Sequence, residues 1–363
     1  GSFVLHGNII DSESPERLRV AADSYLVCEE GRCTGVFSAL PERFSGLPLT
    51  DFGDRLILPG MTDLHLHAPQ FAFRGLGMDL ELLDWLNART FPEEAKYADL
   101  GYAALAYGQF VDCLRRSATT RAVVFGTVHP AATTLLMELL EASGLVSYVG
   151  KVNMDRDCPE ALREADAAAS LAATEQWLAS ARFAHTKPIL TPRFTPACTD
   201  ELMAALGKIS AEKGLYVQSH LSENLDEIAW VRELHPDCAQ YWESYDKFGL
   251  WKDRTIMAHC VHSDAHERSA IRQAGVVVAH CPDSNINLCS GIAPVRQMLN
   301  EGLWVTLGSD IAAGSSLSGS QMVTMSIRAS KIRRFTDPEK PAFLTVPEAY
   351  YLGTTSGHRY FGA

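Results

Sequence analysis

Eight short β-branched or apolar runs, each closed by a polar or turn residue and followed by a longer amphipathic stretch, constrain this chain more than any other feature. They cover 61–67, 119–126, 147–154, 188–194, 215–219, 255–259, 276–280 and 305–310. Helical patterns lie between them at 103–117, 133–142, 167–181, 200–213, 224–234, 264–274 and 295–301. A strand alternating with a helix eight times, over roughly 250 residues, predicts an α/β fold of the (β/α)8, or TIM, barrel type. A doubly wound sheet is the other parallel solution, but nothing here resembles its Gly-rich phosphate loop.

Residues 1–58 follow another rhythm. Short strands at 3–9, 24–28, 34–37 and 55–58, joined by Gly, Pro, Ser and Asp turns, predict the N-terminal part of a small β-rich domain, with the barrel over 59–363. On their own such strands leave edges in want of partners.

With 47% hydrophobic and 21% charged residues the chain is too apolar for disorder, and no apolar run is long enough to span a bilayer. A net charge of -12 and a pI near 5.5 oppose a nucleic-acid partner, which needs a basic surface. A small molecule fits better. The nine cysteines show no CxxC and no paired spacing, and no signal peptide opens the chain, so reduced thiols in a cytoplasmic protein are expected.

In this barrel class functional side chains sit at the C-terminal ends of the strands. Those ends carry His65, His67, Arg193, His220, His259, His280 and Asp310, which include five of the twelve histidines. The HLH triplet places both imidazoles on one strand face. Taken singly, His220 and His259 are more often hydrogen-bonded structural histidines than ligands, and Asp310 more often a helix N-cap. Converging on one barrel mouth, three imidazoles and a carboxylate suit a borderline divalent ion, most often zinc, with a position left for water. Glu223, three residues past His220 in QSHLSEN, is the nearest acid to carry protons, or else a first-turn acid of the helix after it. His280 can orient a ligand or the loop PDSN. HExxH, GxSxG and the HxE/PCxxC pattern are absent.

These residues stand in segments that resemble the amidohydrolase superfamily: LPGMTDLHLHAPQ (58–70), DLELLDWLNARTFPEE (79–94), VGKVNMD (149–155), TPRF (191–194), VQSHLSEN (217–224), MAHC (257–260), AHCPDSNINLCSG (279–291) and LGSD (307–310). The resemblance runs from about Leu56 to the end of the chain. HAPQ, the long DLxLLxWL helix ending in TFP, and TPRF are narrower and resemble the guanine deaminase branch. LGSD replaces the family's LGTD, a change of one hydroxyl residue for another. The family pattern also continues past HRYFGA (358–363) into strands that return to the N-terminal segment, so the small β domain is expected without its C-terminal complement.

The resemblance implies one zinc ion per chain, or iron, held by His65, His67, His220 and Asp310. It implies that His259 contacts the attacking water, that Asp310 takes a proton and that Glu223 supplies one. Gln70, Arg193, Phe194, His220 and Glu223 are implied as substrate contacts. The arginine fork would meet guanine O6 and N7, with a salt bridge across the barrel mouth as its alternative role. Trp85, Phe71 and Phe73 join Phe194 as wall residues, or serve as ordinary core. The implied reaction is hydrolytic deamination of guanine to xanthine and ammonia by a homodimer. A related aminohydrolase acting on another purine, an adenine nucleoside derivative or a triazine is the nearest rival, and a non-catalytic barrel binding protein the more distant one.

Overall fold

A computed structural model describes residues 1–362. Its N-terminal sheet has the order β3-β2-β1-β4, built from β1 (Phe3–Ser14), β2 (Arg17–Glu29), β3 (Arg32–Phe37) and β4 (Leu49–Ile57). β1 pairs antiparallel with β2 and parallel with β4. Three of these strands run well beyond the expected 3–9, 24–28 and 55–58. The extensions are rich in charge, which masks the strand signal: Arg19 of β2 reaches across to Asp11 and Glu13 of β1. Cross-strand ion pairs there do the work that apolar alternation does elsewhere.

The barrel staves are β5 (Met61–His67), β6 (Thr119–Phe125), β7 with β8 (Val146–Gly150, Val152–Asn153), β9 with β10 (Thr186–Pro188, Thr191–Pro192), β11 (Gln218–Leu221), β12 (Ile256–His259), β13 (Val277–His280) and β14 (Trp304–Leu307). All neighbouring pairs among them are parallel. Every residue of β5 is buried, as expected for a strand covered on both faces. The ring closes where the Asp310 N–H donates to the His65 carbonyl (2.8 Å) and the His67 N–H to the Ile311 carbonyl (3.1 Å). On the other side the Gln218 N–H donates to the Leu190 carbonyl at 2.9 Å.

Staves three and four are each broken in two, where one run was expected. Pro188 and Pro192 have no N–H to give a ladder. At the other break the buried Lys151 turns its ammonium to Glu164 and to the Val152 carbonyl (3.1 Å). Stave five also shifts: it spans Gln218–Leu221 instead of 215–219, which puts His220 inside the strand. The cause is local, since the preceding helix Asp200–Lys213 ends on Gly214 in the left-handed region and Leu215 folds back to the Ser210 carbonyl. Stave eight ends at Leu307, so Asp310 stands on the loop beyond it.

The interstrand helices fall within a few residues of their expected places, several capped by the residue that begins them, as Asp166, Thr199 and Asp264 do. Helices Gly319–Thr336, Val346–Gly353 and Thr355–Tyr360 follow the last stave. Tyr360 plugs the barrel bottom among Leu64, Val123, Ile189, Ile256 and Val277. Among the described residues no helix is long and apolar enough to cross a membrane.

Candidate active site

Strand ends and the loops after them deliver one cluster at the barrel mouth. His65 and His67 leave the same face of β5, and their Nε2 atoms lie 3.1 and 3.3 Å from Asp310 Oδ1. His220 brings its Nε2 to 3.4 Å from His67 Nε2. Its Nδ1–H donates to the Arg193 carbonyl at 2.6 Å, which leaves the Nε2 lone pair pointing into the cluster. Two imidazole nitrogens facing each other at that distance repel unless a proton or a cation lies between them. Both ring nitrogens of His65 and Nδ1 of His67 are buried without a hydrogen-bond partner. Burial pushes His65 down to about 4 and His220 well below the ordinary imidazole range, so the rings are neutral donors. His65, His67 and His220 thus form a group able to hold a metal ion, and the orphaned nitrogens fit one.

Two carboxyl groups flank this cluster with opposite tendencies. Burial raises Glu223 well above the ordinary glutamate range, and the neighbouring Asp310 and Glu227 charges push the same way. Burial also resists ionisation of Asp310, but its contacts with His65 and His67 outweigh that and hold it well below the ordinary range. His259 Nε2 sits between them, 3.4 Å from Glu223 Oε2 and 3.8 Å from Asp310 Oδ2. One carboxyl that keeps its proton beside one that has lost it is an arrangement suited to acid–base chemistry.

The supports come from residues the sequence reading passed over. Asn285 accepts from His259 Nδ1–H at 2.8 Å, and Ser284 donates to Asp310 Oδ2. Both belong to PDSN, which was expected as a loop but forms the start of a short helix, Pro282–Asn287, so that helix itself aims the site. His280 is buried with Nδ1 unpaired, and its carbonyl accepts the Gly308 N–H at 2.9 Å. Asp63, pushed up to about 7 by burial, ties β5 to the stave-eight loop by accepting the Ser309 N–H at 2.9 Å. Glu227 accepts the N–H groups of Glu223 (3.0 Å) and Asn224 (3.2 Å), fixing the loop that carries Glu223.

Above the cluster lies a pocket of about 420 Å³ lined by His67, Gln70, Leu82, Trp85, Leu86, Arg193, Phe194, His220, Glu223, Glu227, Leu288, Asp310 and Ala313. All five expected substrate contacts line it. Trp85 and Phe194 form wall, whereas Phe71 packs on Phe110 and Phe73 on Trp85 in the core. The arginine fork is not free, however. Its Nη1 and Nη2 bind the buried Glu94 at 2.6 and 3.1 Å, and Gln70 Nε2 donates to the same carboxylate at 3.0 Å. Glu94 is the residue that sequence reading missed here, although it stands at the end of the TFPEE segment.

The chain matches the amidohydrolase family model over residues 56–363. It is 41% identical to guanine deaminase of Dictyostelium discoideum over 312 residues, covering 85% of this chain and 69% of that protein. The crystal structure of guanine deaminase from C. acetobutylicum with guanine bound in its active site superposes with a TM-score of 0.97 at 45% identity, over 100% of this chain and 87% of that one. Atrazine chlorohydrolase TrzN from Arthrobacter aurescens TC1, complexed with zinc, shares the fold alone, at TM-score 0.86 and 18% identity over 99% of this chain and 83% of that one. Site chemistry, fold and relatedness therefore agree, and the chain belongs to the amidohydrolase family, among the guanine deaminases.

Proposed function

We propose that this chain hydrolyses the exocyclic C2–N bond of guanine, giving xanthine and ammonia. The observation that carries it is one pocket with His67, His220 and two unlike carboxyls at its floor and an Arg–Gln pair at its wall. The 45% identical relative with guanine in its active site supports the substrate. The triazine alternative is not favoured, because its representative shares only the fold.

We assign His65, His67, His220 and Asp310 as the residues that would hold one zinc ion, or iron in its place; such an ion would supply Lewis acidity and lower the pKa of a water toward neutral pH. Asp310, held ionised, takes one proton from the water that attacks C2. Glu223 gives its own proton to the ring nitrogen beside C2. His259, fixed by Asn285, faces both carboxyls and stabilises the oxygen as charge develops on it. When the centre collapses, Glu223 takes the proton of the C2 hydroxyl and passes it to the amine, which leaves as ammonia, and Asp310 then returns its proton to Glu223. The two protons of water end on the ring nitrogen and on the amine, and both carboxyls return to their starting state. Arg193, Gln70 and Phe194 hold the purine while His220 and Glu223 border C2. We further place residues 1–58 in a small β unit and 59–363 in the catalytic unit of a cytoplasmic homodimer, a compartment in keeping with nine free cysteines.

A panel of nucleobases and a chlorotriazine tests the reading. Guanine should yield xanthine and one ammonia, with adenine, cytosine and the triazine slower by orders of magnitude. Comparable turnover of adenine or the triazine would reject guanine as the substrate.

A further inference from the structure

We propose that Glu94 is the positioning residue that sets base choice, by locking Arg193 and Gln70 into a donor–acceptor pair. The proposal deepens the guanine reading and rests on it.

Glu94 is 1% exposed and does not line the pocket, so it acts only through its partners. Its two oxygens meet three donors: Arg193 Nη1 at Oε2, and Arg193 Nη2 and Gln70 Nε2 at Oε1. A carboxylate accepts and never donates, so the Gln70 atom that faces it has to be the amide nitrogen. On the other side of that amide the Ala312 N–H, which can only donate, lies 3.4 Å from Gln70 Oε1. Two groups of fixed polarity thus hold the amide in one orientation of two. The consequence is that Gln70 offers the remaining lone pair of its oxygen as an acceptor, beside an arginine that can only donate. Phe91 lies against the same guanidinium, 5.1 Å from ring centroid to Cζ, and restricts its swing.

An acceptor next to a donor complements a ring lactam, N–H beside C=O. Guanine carries that edge at N1 and C6. Adenine carries the opposite polarity, an amine beside a bare ring nitrogen, and would set donor against donor. 2-Aminopurine keeps the C2 amine but has neither O6 nor N1–H. Sites built around such polar pairs reject analogues lacking them, because buried groups are then left unpaired.

The test compares kcat/KM for guanine and 2-aminopurine in the metal-loaded protein and in Glu94→Gln, with metal content and Tm as controls. An amide at position 94 cannot accept at both atoms, so Arg193 and Gln70 lose their common anchor. Guanine should lose roughly 10²-fold, the scale of a misplaced binding group, and 2-aminopurine much less, so the preference ratio collapses. Glu94→Asp, which keeps the charge but reaches fewer partners, should give an intermediate ratio and serves if the Gln variant does not fold. An unchanged ratio, with both substrates slowed together, would make Glu94 a structural prop and overturn the proposal. Failure of the wild type to deaminate guanine at all would instead reject the function on which it rests.

Discussion

Glu223 and Asp310 share one buried neighbourhood, yet the first is held protonated and the second ionised. That contrast leads to two predictions about single side chains. Glu223→Gln should keep the metal and still bind purine while losing at least ~10²-fold in kcat, the scale of a general acid–base group. Near-normal turnover would leave Glu223 as a helix-start acid only. His220→Ala should lose metal and activity together, read by metal analysis of the purified variant, and a stoichiometric, tightly held ion in it would contradict the ligand assignment. These residues were legible because strand ends gather chemistry in a barrel, whatever the distance along the chain. Their supports were not. Arg193 and Glu94 are 99 positions apart, and neither spacing nor pattern announces that pairing. Asp63, Ser284 and Asn285 were likewise hidden, because an Asp in a strand or a Ser in a short helix has many ordinary uses.

At the scale of the element, the helix Leu225–Leu234 starts with a capping box in which Asn224 and Glu227 bind each other's backbone. The same box anchors the Glu223 N–H, so capping and catalysis are coupled. Asn224→Ala should cost about 1 kcal/mol of stability, a typical N-cap loss, and should lower kcat for guanine as the loop loosens; full kcat with reduced Tm would uncouple the two. A neighbouring helix supplies a pH effect. Burial raises Glu267 to about 7 in the folded protein, against 4.5 for an exposed glutamate. Between those values the folded chain keeps a proton that the unfolded chain has lost, so stability falls as pH rises through that window and the penalty is complete above it. Glu267→Gln should therefore show a smaller drop in Tm from about pH 5 to about pH 8 than the wild type, and an equal or larger drop would contradict it. Element types were readable where apolar period was strong, as in β5, β6 and Asp200–Lys213. Their lengths were underestimated where charge replaced it, as in β1 and β2, and their continuity was overestimated where proline and Lys151 broke a stave.

For the whole molecule, the eightfold alternation carried the fold because a parallel stave has to be covered on both faces, and the helices between staves do the covering. The last helices were missed, since the eight-stave count was complete before them, yet Tyr360 closes the barrel bottom. A site that gathers His65, His67 and His220 around one point also predicts linkage between metal and fold. Chelation should lower Tm and zinc should restore it, because an ion that binds only the folded state stabilises it by mass action. Equal Tm with and without metal would argue against the cluster as a binding site. The central claim is that water replaces the C2 amine of guanine. It is tested most directly by turning guanine over in water enriched in the heavy oxygen isotope and analysing the products by mass spectrometry with an ammonia assay. The account predicts xanthine carrying one heavy oxygen at C2 and one ammonia per xanthine. Xanthine without the label, or no xanthine from metal-loaded protein, would contradict it.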